Sequence, residues 1–198
     1  MSARRTNILD AAAELLGEKG YARTSVDDVI ERAGLSGKSH FYHYFKSKEA
    51  LGAEVIARQF DLLADCGATI LRDTSIEPLE RLNLFIDSIV ALQIEKSGKC
   101  GSPFGALGAD MADKDERFRL QVAEVFRGWS AQIQALLVEA RDRLSEDADP
   151  QRLARFIVAT LEGATQLSRL KRDATVLSGI ALDLKRFIGT HERRMANS

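Results

Sequence analysis

The stretch from Thr24 to Lys48, TSVDDVIERAGLSGKSHFYHYFKSK, constrains the fold of this chain more than any other segment. Its hydroxyl pair Thr24-Ser25 stands three residues before the carboxylate pair Asp27-Asp28, which satisfies the free N–H groups of a helix start from both directions. Gly34 can end this helix because a residue without a Cβ atom adopts a left-handed conformation. Ser36 is a second hydroxyl start signal, so the stretch predicts two short helices joined by a tight turn.

The charge of the second short helix favours phosphate as its partner. From Ser36 to Lys48 there are three lysines, two histidines and no carboxylate, whereas the whole chain has a net charge of −1. Lysines, hydroxyls and helix N-termini supply most contacts to the DNA backbone, and the second helix of a helix-turn-helix is sized for a major groove. A solvated basic turn is the alternative, which charge alone leaves open.

The tripeptide Gly37-Lys38-Ser39 looks like the end of a phosphate-binding P-loop. That motif requires a glycine five residues before the glycine of the tripeptide, where this chain has Arg32. The pattern also lacks a preceding strand. We therefore do not expect nucleotide hydrolysis, because a lone GKS has no glycine-rich backbone to surround phosphates.

Composition places the chain among folded, largely helical proteins. It has 198 residues, 45% of them hydrophobic, and only three prolines. No apolar run reaches membrane-spanning length and the first residues are polar, so we expect a cytoplasmic protein. The two cysteines are too few and too unpatterned for a disulfide framework or a zinc site, and we expect no metal or other cofactor.

Helical periodicity continues along the whole chain without strand-like alternation. The prediction is an all-α fold of about nine helices, in which a three-helix domain (residues 1–48) is joined by a long helix to a helical bundle (residues 49–198). Beyond the helix-turn-helix, the predicted helices cover residues 3–16, 46–71, 76–95, 104–112, 113–144, 150–170 and 174–192. The helix over 46–71 is shared by both regions and would couple them.

The AGLS turn, the FYHYF run and the KSKEAL that follows strongly resemble the DNA-binding domain of TetR-family (tetracycline-repressor-like) transcriptional regulators. The resemblance covers roughly the first 50 residues, and from Gly34 to Phe45 this chain is one residue longer than the usual family pattern. The resemblance implies a ligand-responsive regulator, most simply a repressor, that binds a near-palindromic operator as a homodimer. Lys38, Ser39 or His40 would read bases. The other expected DNA contacts are Thr24, Ser25, Ser36, Gly37, Tyr42, His43 and Lys48.

In the second region, the resemblance implies a small-molecule inducer held between the middle helices. The candidate ligand residues are mostly aromatic or apolar, with three polar residues that interrupt apolar faces: Phe85, Ile89, Phe104, Met111, Phe126, Trp129, Gln93, Glu162 and Gln166. Ordinary core packing is the alternative for the aromatic residues, and solvent exposure is the alternative for the polar ones.

Gly163 lies in the middle of a predicted helix, where glycine costs about 1 kcal/mol relative to alanine. Close approach of another helix would offset that cost, either in a symmetric dimer or within the chain. The resemblance implies dimerisation through the last two helices. The candidate interface residues are Phe156, Gly163, Leu167 and Leu184.

Cys100 follows Lys99 in a glycine-rich loop, where nearby positive charge favours the thiolate. A thiol-based sensor of oxidants or electrophiles with the same architecture is therefore an alternative, and a structural cysteine is the simpler interpretation. A helical enzyme and a protein-binding scaffold are two rival classes. No Ser/His/Asp, metal-binding or glycine-rich cofactor pattern in the sequence supports an enzyme.

Overall fold

The computed structural model describes residues 2–95 and 116–193, and within these ranges the fold is all-α, as predicted. We number the eight described α-helices in chain order. They are α1 (Ala3–Lys19), α2 (Val26–Arg32), α3 (Lys38–Tyr44), α4 (Lys48–Leu71), α5 (Pro78–Glu95), α6 (Glu116–Glu139), α7 (Pro150–Lys171) and α8 (Thr175–Thr190), with a 3₁₀ helix at Arg141–Arg143. The helix predicted over 104–112 lies outside the described residues.

Several helix ends follow the capping signals of the sequence. Ser25 caps α2 in a reciprocal capping box with Asp28, and Gly34 adopts a left-handed φ of 62° after that helix. Ser47 caps α4 by accepting a hydrogen bond from the Ala50 amide at 3.1 Å. The helix ends predicted from these signals mostly lie within a few residues of those in the structure. Each signal marks a helix end because it satisfies backbone groups that the end leaves unpaired.

The helix predicted over 113–144 is shorter in the structure. The α-helix α6 ends at Glu139, and the 3₁₀ turn then leads into a β-bridge between Leu144 and Glu192. The amide of Arg193 also donates to the carbonyl of Arg143 at 2.8 Å. The last described residues therefore stabilise this turn, a long-range contact that local periodicity does not contain.

The described residues form two compact units, and the first holds residues 2–63 and 116–125. Its core includes the predicted apolar stripe of α1. Large side chains from α3 and α4 and from the start of α6 pack with that stripe, and the fully or nearly fully buried members are Ile8, Leu9, Leu15, Leu16, Phe41, Phe45, Leu51, Val55, Ile56 and Phe118.

The second unit holds residues 64–95 and 126–193, and its core is a single cluster of aliphatic side chains with Phe85. A buried cation, Arg81, supports this core. Its guanidinium donates to the Leu71 carbonyl at 2.9 Å, at the C-terminal end of α4, and forms an ion pair with Glu139 at the end of α6. Arg81 thus satisfies a carbonyl that the end of α4 leaves without a helical partner.

No helix within the described ranges combines the length and the apolar character that crossing a lipid bilayer requires.

Candidate nucleic-acid interface and dimer face

Helix α3 has one buried face and one exposed face. Phe41 and Phe45, one turn apart, lie almost completely inside the first unit. The remaining side chains of the helix include a set of exposed hydrogen-bonding groups, Lys38, Ser39, His40, Tyr42 and His43. The two phenylalanines hold the helix on its core, so its polar groups are presented to solvent. We call these five exposed residues the reading face.

The start of α3 differs from the prediction. Gly37, with φ at 156°, is the N-cap residue, and no side chain of the described residues caps the helix. The Ser36 hydroxyl, expected to cap α3, instead lies 3.0 Å from Nδ1 of His40. Ser36 is exposed at the edge of the reading face, and its hydroxyl orients a histidine of that face.

The start of helix α2 is stabilised by a charged capping box. The Ser25 amide and hydroxyl donate to the Asp28 carboxylate at 2.6 and 2.7 Å, and the Asp28 amide donates back to the hydroxyl at 3.1 Å. Lys19 contributes an ion pair with Asp28 at 2.9 Å. The hydrogen bond from Lys19, followed by those from Ser25, holds the pKa of the Asp28 carboxyl well below its usual range. The Ser25 hydroxyl is exposed but already used in the cap.

The expectation that Thr24 contacts phosphate is wrong for its side chain. Thr24 is only 3% exposed, and its hydroxyl donates to the Gly20 carbonyl at 2.8 Å. The hydroxyl satisfies backbone at the end of α1, so it is not available to an external partner. Of the two hydroxyl residues before α2, Ser25 caps the helix, whereas Thr24 is buried.

Two lysines near the reading face have partners on the protein. The Lys38 ammonium lies 3.2 Å from the Asp27 carboxylate, but both groups are exposed, and such surface pairs contribute at most about 1 kcal/mol. Lys48 is half-buried, with its Nζ 4.2 Å from the centre of the Tyr21 ring. Lys38 can therefore exchange its partner at little cost, whereas Lys48 also has a packing role.

A second exposed surface lies on α7 and is apolar. Phe156 and Leu167 are each 46% exposed, and Leu170 is exposed further. With Gly163 they fall at spacings of seven, four and three residues, which place them on one side of a helix. The Phe187 ring of α8 packs beside Phe156, with ring centres 4.8 Å apart. We call Phe156, Gly163, Leu167, Leu170 and Phe187 the outer face.

Leu184 was a candidate for the same interface, and that expectation is wrong. Leu184 is 3% exposed and belongs to the core cluster of the second unit. It shares its stripe of α8 with Leu177, Ala181 and Ile188, which are also buried. The exposed large apolar side chains of α8 are instead Leu182 and Phe187.

Gly163 distinguishes the two explanations of a mid-helix glycine. A Cβ atom added at this position would meet no described atom of the chain within 4 Å, outside its own helix. The alternative of a close crossing within the chain is therefore excluded for the described residues.

The candidate ligand residues are spread over the second unit. Phe85 and Ile89 lie in or against its core, as do Phe126 and Trp129, whose rings meet edge to face at 6.3 Å. Gln93 is half-buried on α5. Gln166 donates to Glu162 at 3.4 Å on α7, so these two polar residues pair with one another. Phe104, Met111 and Cys100 lie outside the described residues.

Comparison with known proteins identifies the family. Residues 8–55 match the family described as bacterial regulatory proteins, tetR family. Residues 78–181 match the family described as tetracyclin repressor-like, C-terminal domain. The chain belongs to the TetR family of transcriptional regulators.

Individual TetR-family relatives match over most of their length. The transcriptional repressor DhaR of Mycobacterium sp. (strain GP1) is 26% identical over 171 residues, which cover 85% of this chain and 84% of that protein. The regulator AcuR of Cereibacter sphaeroides is 30% identical over 167 residues, covering 83% and 76%. A crystal structure of a regulatory protein TetR from Rhodobacter sphaeroides superposes with a TM-score of 0.87 at 29% identity, covering 93% and 98%.

One packed contact of this TetR-family chain was missed from the sequence. A Cβ atom at Gly52 of α4 would lie 2.9 Å from the Tyr21 ring and 3.2 Å from the Phe118 ring. The side chain of Gln121 also donates to the Ala53 carbonyl at 2.9 Å, so the start of α6 is fixed on α4 within the first unit. A glycine inside a long helix was the available signal for this contact.

Proposed function

We propose that this TetR-family chain is a ligand-responsive transcriptional repressor that binds a near-palindromic operator as a homodimer in the cytoplasm. Residues 1–48 would bind DNA, and residues 49–198 would bind the ligand and dimerise. The observation that carries the proposal is the reading face, a row of exposed hydrogen-bonding side chains on a short helix that two buried phenylalanines hold in place. Such a helix needs no catalytic group to act.

The roles on DNA follow from the chemistry of each exposed group. Helix α3 would enter the major groove, where Lys38, Ser39 or His40 at its start reads base edges. Tyr42, His43 and Ser36 can donate to phosphates, whereas Ser25 stays a predicted contact whose hydroxyl would have to leave the cap of α2 to donate. Gly37 and Lys48 remain predicted backbone contacts. Phosphate contacts would set the position of the helix, and base contacts would set its sequence preference.

The outer face supports the homodimer. It exposes Phe156, Leu167 and Leu170 together on one helix, and water-exposed apolar groups of this kind mark protein interaction sites. Gly163 lies open between them, so a backbone from a second copy could approach closely there. A two-fold axis at this face would bring two reading faces to one operator, with half-sites about one helical turn apart.

Ligand control would act through a shift between two conformers of the dimer. In one conformer of the dimer the reading faces would no longer fit the spacing of the half-sites. A small molecule that binds this conformer more tightly lowers the operator affinity, at most by the ratio of its affinities for the two conformers. The half-buried Phe126, Trp129 and Gln93 of the second unit support a ligand site there, because they combine apolar contact area with a polar group. Helix α4 has residues in both units, which supports its role as the connecting element.

The test is a mobility-shift assay of the purified protein with the DNA that flanks its own gene, repeated at several salt concentrations. We expect a sequence-specific complex whose affinity falls steeply with salt, because each neutralised phosphate releases counterions. Shuffled DNA of the same composition is the control. Equal binding to both DNAs, or no binding at low salt, would contradict the proposal.

A further inference from the structure

A groove between α6 and α7, within the second unit, shares only Phe126 with the ligand residues proposed above. Its volume is 310 Å³. Helix α6 contributes Arg127, Ser130 and Gln134 to its walls, and Arg155 of α7 lies on the other side. The groove is at the lower end of the size range of small-molecule sites in proteins.

The polar groups of this groove are mostly donors without a protein partner. In the described part of the chain, the side chains of Ser130, Gln134, Gln151 and Arg155 make no hydrogen bond or ion pair to other residues. Arg127, which does have an interaction within the protein, adds a second exposed guanidinium to the groove. Guanidinium, amide and hydroxyl donors therefore line the same groove.

The described lining of the groove carries positive charge only. None of the described residues that line it is acidic, in a chain where acidic residues outnumber basic ones by 29 to 28. The carboxylate of Asp149, just before α7, accepts from the amides of Gln151 and Arg152 at 2.9 and 3.2 Å and is used as the helix cap. An anionic ligand would therefore meet two cations and no like charge among the lining residues.

One wall of the groove is aromatic. Phe126 lies beside Arg127 on α6 and supplies apolar surface next to the donors. A guanidinium presents its N–H groups in a planar fork that matches a carboxylate. We propose that this groove binds a small organic carboxylate, with its carboxylate between the α6 and α7 arginines and its apolar or aromatic end on Phe126. The proposal does not depend on operator binding.

The test uses benzoate as the probe and the full-length protein without DNA. We expect saturable binding of one benzoate per chain by calorimetry. Backbone amide shifts in NMR spectra should cluster at Ser130, Gln134, Gln151 and Arg155. Benzamide, which has the same shape without the charge, should bind about tenfold more weakly or worse, since a hydrogen bond to a charged group contributes about 1.5–3 kcal/mol.

Matched variants locate the site. Arg155→Gln should weaken benzoate binding about tenfold, by the loss of one charged hydrogen bond. Arg152→Gln removes the same charge from the same helix but does not line the groove, and it should bind benzoate like the wild type. Arg155→Lys keeps the charge without the planar fork and should fall between the two.

Three results would overturn the proposal. One is equal binding of benzoate and benzamide. The second is a set of amide shifts scattered over the surface, which would indicate non-specific association. The third is equal weakening by Arg155→Gln and Arg152→Gln in proteins with the same melting temperature. If Arg155→Gln proves unfolded, Arg155→Lys gives the same comparison.

Discussion

The reading face of α3 and the outer face of α7 are both strongly exposed, and they differ in the chemistry of the atoms they expose. Tyr42 of the reading face is 53% exposed and Phe156 of the outer face is 46% exposed. Tyr42 shares its face with an ammonium, a hydroxyl and two imidazoles, whereas Phe156 shares its face with leucines, a second phenylalanine and an open glycine. Exposure alone therefore does not predict a partner. Polar exposure fits a hydrated polyanion, and apolar exposure fits a second copy of the chain.

The largest effect is expected on the outer face. Leu167→Glu together with Leu170→Glu places two charges where the proposed dimer excludes water, so the protein should sediment as a monomer. Operator affinity should then fall on the order of 10²-fold, because the two half-sites are no longer bound as one unit. Val138→Glu on α6 is the control, since the exposure of Val138 lies between those of Leu167 and Leu170 but Val138 is outside this face. If the double variant still forms a dimer, the outer face is not the dimer contact, and the proposed difference in partner between the two faces is wrong.

On the reading face, Lys38→Ala should relax discrimination at one base position of each half-site. The expected cost at that position is about 1–3 kcal/mol, the value of one good side-chain contact to a base. Binding to a set of operators with single base changes measures it. Lys46→Ala, an exposed lysine after α3, should weaken all operators alike. If Lys38→Ala also weakens all operators alike, Lys38 contacts phosphate and Ser39 or His40 becomes the base reader.

Gly163→Ala should have opposite effects in the monomer and in the dimer. In the monomeric Leu167→Glu, Leu170→Glu background it should stabilise α7 by about 1 kcal/mol, because alanine is the better helix former and none of the described atoms of the chain obstructs its Cβ. In the wild-type background it should weaken dimerisation by about 1–3 kcal/mol, through overpacking between the two copies. Thermal melts and sedimentation measure the two effects. An unchanged dimer dissociation constant would place the contact between copies elsewhere on the outer face.

The smallest effect is expected for the stability that the Asp28 capping box of α2 contributes at low pH. The folded-state pKa of Asp28 is depressed by Lys19 and Ser25, so its contribution to stability is complete above the ordinary aspartate pKa of about 4 and is lost as the pH falls below it. Asp28→Asn should lower the melting temperature at pH 7, and the difference from the wild type should shrink as the solution becomes acidic. Asp27→Asn, outside the capping box, should change the melting temperature less. A difference that is constant with pH would contradict the ionised cap.

The sequence predicts the helices well because capping, periodicity and glycine punctuation are local signals. It predicted α4 to end at residue 71 and α7 to begin at residue 150, as the structure has them. It could not separate Thr24 from Ser25, since both carry a hydroxyl at a helix start and only the packing of α1 buries one of them. For α8 the same limit holds: both Leu184 and Leu182 fit an amphipathic helix, and the direction of the core decides which is outside.

Glycines show most clearly where sequence reasoning stops. A glycine inside a helix indicates that a side chain at that position would clash or is not needed. It does not indicate which residue would cause the clash. Gly163 drew attention and is open within the chain, whereas Gly52 and Gly67 on α4 are the ones in close contact, with Tyr21 and Phe118 and with Phe85. These neighbours come from distant parts of the sequence, so local pattern does not name them.

Hydroxyl-radical and methylation footprinting of the protein on DNA selected from its own genome tests the central claim most directly, namely that two copies of the reading face bind one operator. The account predicts two protected major-groove patches on one face of the duplex, about one helical turn (~34 Å) apart, with two chains per site. A single protected patch with one chain per site, or protection confined to the minor groove, would contradict it.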